Sequence, residues 1–179
     1  MIGADYSSKF SPWLANGCLS VRKMYYDILK FEQEVAKNES SAHFYFELRW
    51  REFFRFYCEA HQTAVFWQQG IRPEGQNGFA WRSDQDLITR WKEGTTGMPI
   101  VDAFMRELKA TGFMSNRGRQ IVASYLALDL QQDWRFGAHH FEELLLDHDV
   151  HSNYGNWNAA AGVGPGRVNY FNVLRQSHQ

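Results

Sequence analysis

The sequence of 179 residues has few cysteines, no long apolar run and almost no net charge. Its two cysteines, Cys18 and Cys58, form no CxxC or other metal-binding spacing, so a reduced compartment is expected. Nineteen basic and twenty acidic residues give a formal charge of −1, so net charge alone predicts neither nucleic-acid nor membrane binding. The apolar runs are much shorter than a membrane span, and MIGADYSSKF lacks the apolar region of a signal peptide. We therefore expect a cytoplasmic protein without a transmembrane segment.

Aromatic residues, in contrast, are abundant. They make up 16% of the chain, and seven of them are tryptophans. Large rings most often fill a hydrophobic core, and we expect this of most of them. Tryptophans can also relay electrons or stack on nucleic-acid bases. Composition alone does not choose among these roles.

Apolar residues recur at helical spacing along most of the sequence, and no stretch alternates as a strand does. The pattern predicts an all-α helical bundle, with residues 1–179 forming one domain. Helices are expected to begin at capping side chains, to include Pro99 at a first position and to end at Gly112. The expected caps are Ser20, Ser41, Ser83, and Ser115 or Asn116. The segment SNYGNW, with its amide side chains, is expected to form a turn.

Charged and amide side chains are concentrated between Thr111 and Trp157. Arg117 and Arg119 fall in the first turn of a predicted helix, where the helix macrodipole disfavours positive charge. They therefore need anionic partners, and Asp147 and Asp149 are the obvious candidates within the protein.

Three further patterns suggest a function but also have simpler interpretations. The segment YSSKFS offers hydroxyls and an ammonium group ahead of a helix, which suits an anion site, although ordinary capping is the simpler interpretation. Glu47 and Arg51 stand four residues apart on a helix and can pair, and a buried helix with surface salt bridges is the simpler interpretation. The acids and imidazoles between residues 147 and 151 can chelate a metal, but no other cluster completes a shell, so no metal is expected.

Several long motifs, in this order, resemble the flavin-binding half of the cryptochrome/photolyase family, and its DASH-type cryptochromes above all. The motifs are YSSKFSPWLANGCLS, TGFMSNRGRQIVASYLALDLQQDWR and SNYGNW. The resemblance covers nearly the whole chain. It implies a helical FAD-binding domain that is shortened at both ends relative to the family. Since the N-terminal antenna domain is missing, no antenna pterin is expected.

The resemblance implies FAD as the cofactor and assigns residues to it. In the family, the first loop cradles the pyrophosphate of the dinucleotide, which corresponds here to Ser7, Ser8, Lys9, Phe10 and Ser11. The remaining cofactor residues implied are Arg51 near the flavin, Arg119 and Asp147 as a buried pair beside its ring, Asp149 at its sugar or ribityl hydroxyls, and Asn153 at its N5 atom.

The resemblance also assigns a relay and a lesion pocket. Trp157, Trp134 and Trp81 match three tryptophans that pass electrons to the excited flavin. The pocket for a flipped-out pyrimidine dimer would be walled by Glu47, Trp50, Phe113, Asn116 and Gln120. Of these, Glu47, Trp50 and Asn116 are the expected catalytic residues. Arg117 and Lys9 would contact DNA phosphates.

Three functions remain open at this point. The first is light-driven repair of pyrimidine dimers, preferably in single-stranded DNA, by a deoxyribodipyrimidine photolyase, a carbon–carbon lyase. The second is a blue-light photosensory flavoprotein without repair activity, and the third is a flavin-poor module that binds nucleic acid. Ala159 stands where the family carries Trp or Tyr, which removes a stacking surface worth about 1–3 kcal/mol per base. Association into a homo-oligomer is a further expectation.

Overall fold

The fold is all-α, as predicted. The computed structural model describes residues 8–72, 80–168 and 170–176. Within these ranges it contains helices and one isolated parallel bridge, between Arg82 and Gln132, but no strand. No helix in this part of the chain is both long enough and apolar enough to cross a membrane.

The helices follow one another in chain order. They are α1 (Ser11–Ala15), α2 (Val21–Glu34), α3 (Glu39–His61), which continues into a 3₁₀ turn (Gln62–Phe66), α4 (Gln85–Glu93), α5 (Pro99–Thr111), α6 (Asn116–Ser124), which continues into a π-helical turn (Tyr125–Asp129), α7 (Trp134–Leu144), α8 (Val150–Ala161) and α9 (Val173–Gln176).

Most of the predicted helix ends are confirmed. The side chains of Ser20 and Ser115 accept hydrogen bonds from the backbone N–H groups three residues on. Pro99 opens α5, and Gly112 closes it in the left-handed region at φ 67°. The amide of Asn38, not Ser41, caps α3, while Ser41 provides the reciprocal half of a capping box.

The start of α4 also differs from the prediction. Asp84 caps this helix instead of Ser83, and its carboxylate accepts from the N–H groups of Asp86 and Leu87 at 3.0 and 3.2 Å. A carboxylate at this position satisfies two of the unpaired donors and also opposes the macrodipole, so it displaces the neighbouring hydroxyl from the role.

The expected turn at SNYGNW is wrong, because the segment lies inside α8. Asp149 caps this helix by accepting from the N–H of Ser152 at 2.8 Å. The amide of Asn153 donates to the carbonyl of Ala138, and that of Asn158 donates to the carbonyl of Val65. Tertiary hydrogen bonds thus use the amides of Asn153 and of Asn158, just after the segment, while the exposed Asn156 donates to the carbonyl of Ser152 within the helix. The tertiary bonds override weak helix propensity.

Helix α8 lies in the centre, between α3 and α7. Two glycines allow the close approach: a Cβ at Gly155 would lie 2.2 Å from the Phe54 ring, and one at Gly137 would lie 2.1 Å from the Trp157 ring. Six of the seven tryptophans divide into two groups, and Trp81 is half-buried. Trp91, Trp134 and Trp157 are at most 2% exposed, whereas Trp13, Trp50 and Trp67 are between 42% and 54% exposed.

Gly155→Ala is expected to destabilise the protein, although alanine favours a helix. Phe54 packs against Trp50 and Phe53 and has little room to move away from a new methyl group. Overpacking costs about 1–3 kcal/mol, which exceeds the gain of about 1 kcal/mol in helix propensity. Urea unfolding should show the loss. Exposed Asn156→Ala, on the same helix, is the control and should change stability by no more than about 0.5 kcal/mol. An unfolding free energy for Gly155→Ala equal to or above that of the unmodified protein would contradict the packing argument.

Candidate functional site

An ion pair links the start of α6 to the loop before α8. Nη2 of Arg119 donates to Oδ2 of Asp147 at 2.8 Å, and its Nε donates to the carbonyl of Met114 at the same distance. The carboxylate side chain is 4% exposed and the guanidinium 26%. Oδ1 of Asp147 is buried and has no hydrogen-bond partner in the described part of the protein. Such an atom is an acceptor available to a ligand.

The other arginine and the other acid of this region have separate partners. The guanidinium of Arg117 lies over the ring of Phe171, 5.4 Å from its centroid. Asp149 caps α8 with its carboxylate. Of the two arginines expected to need an acidic partner, Arg119 therefore pairs with Asp147, while the positive charge of Arg117 is stabilised by a cation–π contact.

The carboxylate of Asp149 is held in its charged form. Burial alone would raise the pKa of Asp149, but hydrogen bonds from Ser152 and the positive charges of His151 and Arg51 outweigh burial and lower it. The negative charge of this carboxylate also affects the neighbouring thiol of Cys58. Burial, and then the charge of Asp149, raise the pKa of Cys58 to about 11. Helix α3 thus brings Arg51 and Cys58 towards the start of α8.

Asn153 is 8% exposed, and part of its side-chain amide makes a hydrogen bond within the fold. One N–H of its amide donates to the carbonyl of Ala138 at 3.0 Å. That bond fixes the orientation of the amide against α7 and leaves the carbonyl oxygen and the second N–H for a ligand.

The pair of Glu47 with Arg51 that their spacing allows is replaced by others. Arg51 contacts Glu52 at 3.1 Å, and Glu47 contacts His43 at 3.3 Å. Glu52 also accepts from Arg55. A single carboxylate therefore serves two guanidinium groups, and Glu47 remains on an exposed face of α3.

The first loop approaches the same region through Phe113. Nζ of Lys9 lies 5.1 Å from the centroid of this ring, and the guanidinium of Arg119 lies 5.5 Å from it. Ser8 and Phe10 are exposed and Ser11 is half-buried, whereas Ser7 lies outside the described residues. In the described part of the loop, no side chain caps α1, so the structure does not support the simpler capping interpretation.

The other expected pocket residues lie on α3 and α6. Trp50 is 42% exposed, and its ring packs against Phe46, Phe53 and Phe54 of its own helix. On α6, Asn116 is exposed and Gln120 is half-buried. Trp50 therefore presents a supported ring surface to solvent, as a base-stacking residue must.

Two tryptophans of the expected relay, Trp134 on α7 and Trp157 on α8, are fully buried. Trp157 on α8 lies against the backbone of α7 at Gly137, one turn beyond Trp134. Nε1 of Trp134 donates to the carbonyl of Gln68 at 3.0 Å. Both indoles are thus fixed in orientation within the same hydrophobic cluster.

Trp81 is attached to this cluster by its backbone neighbours. The N–H of Arg82 donates to the carbonyl of Gln131 at 3.0 Å, and the N–H of Asp133 donates to the carbonyl of Arg82 at 2.8 Å. Trp81 is partly buried against the same core. The segment that carries it is therefore joined to the residues immediately before Trp134.

Two aromatic residues of this region were not singled out from the sequence. Trp91 is fully buried, 6.1 Å from Trp157 between ring centroids, and its apolar position on α4 indicated burial only. Tyr154 is 5% exposed, 6.3 Å from Trp134, and donates to Glu142 at 3.0 Å. Its segment was predicted to be a turn, so no sequence signal placed it beside a tryptophan.

A model of the FAD binding domain of DNA photolyase matches residues 44–179. The chain belongs to this family. The resemblance inferred from the motifs is thereby confirmed. Within the described ranges, no group of three or more His, Cys, Asp or Glu side chains is placed to hold a metal ion.

The photolyase family includes close relatives of this chain. Cryptochrome DASH of Synechocystis sp. is 51% identical over 181 residues, which cover 100% of this chain and 36% of the relative. The crystal structure of the Synechocystis cryptochrome has a TM-score of 0.93 at 52% identity and covers 99% of this chain and 37% of its own. The archaeal photolyase from Sulfolobus tokodaii, solved with two FAD molecules, has a TM-score of 0.79 at 35% identity, with coverage of 96% and 37%. The chain thus spans much less than the full length of these relatives.

Arg119→Met should destabilise the protein more than Arg119→Met combined with Asp147→Asn, because the single change leaves a buried carboxylate without its partner. Breaking a buried pair costs about 3–5 kcal/mol, and we expect about 2 kcal/mol here because the guanidinium is partly exposed. Urea unfolding at neutral pH measures both variants. Lys23→Met removes the exposed pair with Asp27 and should cost at most about 1 kcal/mol. A double variant less stable than the single one would contradict the argument.

In Asp149→Asn, the free energy of unfolding should fall less steeply at acid pH than in the unmodified protein. Asparagine remains a good N-cap, so the charge is the main change. Since the pKa of Asp149 is lowered on folding, its carboxylate stabilises the protein above the ordinary carboxyl range, and this contribution is lost as the pH falls through the lowered pKa. Urea unfolding across a pH series should therefore show a steeper loss in the unmodified protein. Asp27→Asn, at an exposed position, is the control. The same slope in the unmodified protein and Asp149→Asn would contradict the assignment.

Proposed function

We propose that this chain holds FAD in its helical bundle and uses light-driven electron transfer to repair pyrimidine dimers in DNA, preferably in single strands. The observation that carries the proposal is the buried Oδ1 of Asp147, beside Arg119, which has no hydrogen-bond partner among the described residues, in a chain of the photolyase FAD-binding family. Residues 1–179 would act as one domain. The relatives are roughly three times longer, since the chain covers 36% of one of them.

The residues of the site fit the hydrogen-bonding groups of FAD. Oδ1 of Asp147 can accept from a ring N–H, and the amide of Asn153 can accept or donate at N5. Asp149 would accept from hydroxyls of the sugar or ribityl chain, and Arg51 would lie near the ring. The first loop, from Ser7 to Ser11, would meet the pyrophosphate with hydroxyls and the ammonium of Lys9. When bound, FAD supplies light absorption and one-electron chemistry.

The protein itself would set the electrostatic field at the flavin and the route by which electrons reach it. The ion pair of Arg119 with Asp147 fixes a dipole in a site shielded from water, where electrostatic interactions are strong. Trp157, Trp134 and Trp81 would carry electrons inward from the surface. Trp157 and Trp134 are buried, so water is excluded from these two indoles and the polarity around each ring stays constant.

The lesion surface would combine a stacking ring with polar side chains. Trp50 is supported by its ring neighbours yet exposed, which suits stacking on a flipped base. Glu47, Phe113, Asn116 and Gln120 would complete the wall. Arg117, with Lys9, would contact phosphates, because local basic groups must supply the DNA affinity that net charge does not.

A second candidate is a blue-light sensor that retains the cofactor and the relay but does not repair DNA. Ala159 favours it, because this half-buried position offers no ring to a lesion. Signalling would then use a partner surface. The exposed rings of α2 and α3, among them Tyr26 and Phe56, suit association with a second copy.

The test begins with binding of FAD to the purified chain, followed by blue light. We expect near-stoichiometric flavin, photoreduction with an external reductant, and loss of thymine dimers from single-stranded DNA in light but not in the dark. Trp157→Phe should abolish photoreduction, whereas the exposed Trp13→Phe should not. Failure of the purified chain to bind FAD would contradict the whole proposal. Photoreduction of the flavin without loss of dimers would exclude repair and favour the sensor function.

A further inference from the structure

Tyr154 stands between a tryptophan of the relay and a carboxylate. Its ring meets that of Trp134 edge to face, with 6.3 Å between centroids and an interplanar angle of 80°. On the other side, its hydroxyl donates to Oε2 of Glu142 at 3.0 Å. The phenol is 5% exposed, so these contacts replace water around it.

Glu142 connects this buried phenol to solvent. Its side chain is 45% exposed, and its second oxygen lies 3.9 Å from Nε2 of His148. Burial first, and then the hydrogen bond and charge of Glu142, raise the pKa of Tyr154. The phenol therefore keeps its proton at rest and has an acceptor in place for that proton when an electron leaves.

Each of the other tyrosines in the described ranges lacks at least one part of this arrangement. Tyr57 is equally buried at 6%, but its hydroxyl donates to the amide oxygen of Asn158, which does not take up a proton at neutral pH. Tyr170 donates to Asp129 at 2.7 Å but is 54% exposed. Among the described tyrosines, Tyr154 combines burial, a carboxylate partner and contact with a tryptophan of the relay.

We propose that Tyr154 donates an electron to the relay at Trp134 and that Glu142 accepts its proton. The inference rests on the proposed function, because light-excited flavin must first draw an electron through Trp157 from Trp134. The indole radical cation of Trp134 is the oxidant. One electron passes from the phenol to the indole while the O–H bond breaks and its proton moves to Oε2 of Glu142.

The step leaves neutral Trp134, a neutral phenoxyl radical on Tyr154 and a neutral carboxylic acid on Glu142. Return of the electron would require the proton to move back at the same time, so the separated charge lives longer. Glu142 can release its proton to solvent and so complete the separation. Tyr154 would thus form a branch of the relay beside the route through Trp81.

Transient absorption after a blue flash tests the step in the flavin-loaded chain. We expect a phenoxyl signal to grow as the indole radical signal decays. Tyr154→Phe should abolish that phenoxyl signal. Glu142→Gln should strongly reduce it, because an amide oxygen keeps the hydrogen bond but takes no proton. Tyr57→Phe and Glu143→Gln are the matched controls and should behave as the unmodified protein does.

A second arm uses the flavin-free chain. A flash at the red edge of indole absorption, where phenol does not absorb, ionises the tryptophans directly, and radical transfer to tyrosine is followed optically. A transfer component lost in Tyr154→Phe but kept in Tyr57→Phe supports the proposal. Equal phenoxyl yields in both variants overturn it. If the loaded chain shows no light-driven indole radical while this arm succeeds, the flavin function fails and the role of Tyr154 as a donor stands.

Discussion

The position of α8 depends on two places where an aromatic ring touches helix backbone. Gly155 accepts the ring of Phe54 from α3, and Gly137 of α7 accepts the ring of Trp157. A side chain at either glycine would separate the helices by the thickness of a methyl group. Since α8 and its cap carry Asp149, Asn153 and Trp157, these contacts set the spacing of the cofactor-binding candidates and of the relay together.

Polar bonds then fix the orientation that packing allows. Asn158 is fully buried and joins Tyr57 of α3 to the carbonyl of Val65. Asn153 joins α8 to α7 in the same way. Each amide replaces the water that a buried backbone carbonyl would otherwise require. The same side chains that strengthen the bundle therefore restrict how α8 can rotate about its own axis, and with it the direction in which Asn153 and Trp157 project.

The sequence predicted the fold class, the ends of α5 and the caps of α2 and α6, because these depend on local periodicity and on capping side chains. Charge placed at a helix start predicted that Arg119 needs an acidic partner, and the family resemblance implied that this partner is Asp147. The sequence failed at SNYGNW, where local amide content suggested a turn and distant partners decided for a helix. The caps of α3 and α4 were misplaced by competition among neighbouring polar residues. The contact of Tyr154 with Trp134 joins two helices, so no pattern within either helix predicted it.

The segment before α4 has a different kind of support. Arg82 is held by main-chain bonds to Gln131 and Asp133, and the fully buried amide of Gln132 accepts from the N–H of Asp84 at 2.8 Å. Main-chain bonds are indifferent to the identity of the side chains that flank them. Residues 82 and 83 are thus free to change over evolutionary time, whereas the side chain of Asp84 is also needed as the cap of α4. The indole of Trp81 would stay in place while the surface around it takes on a new charge or a new partner.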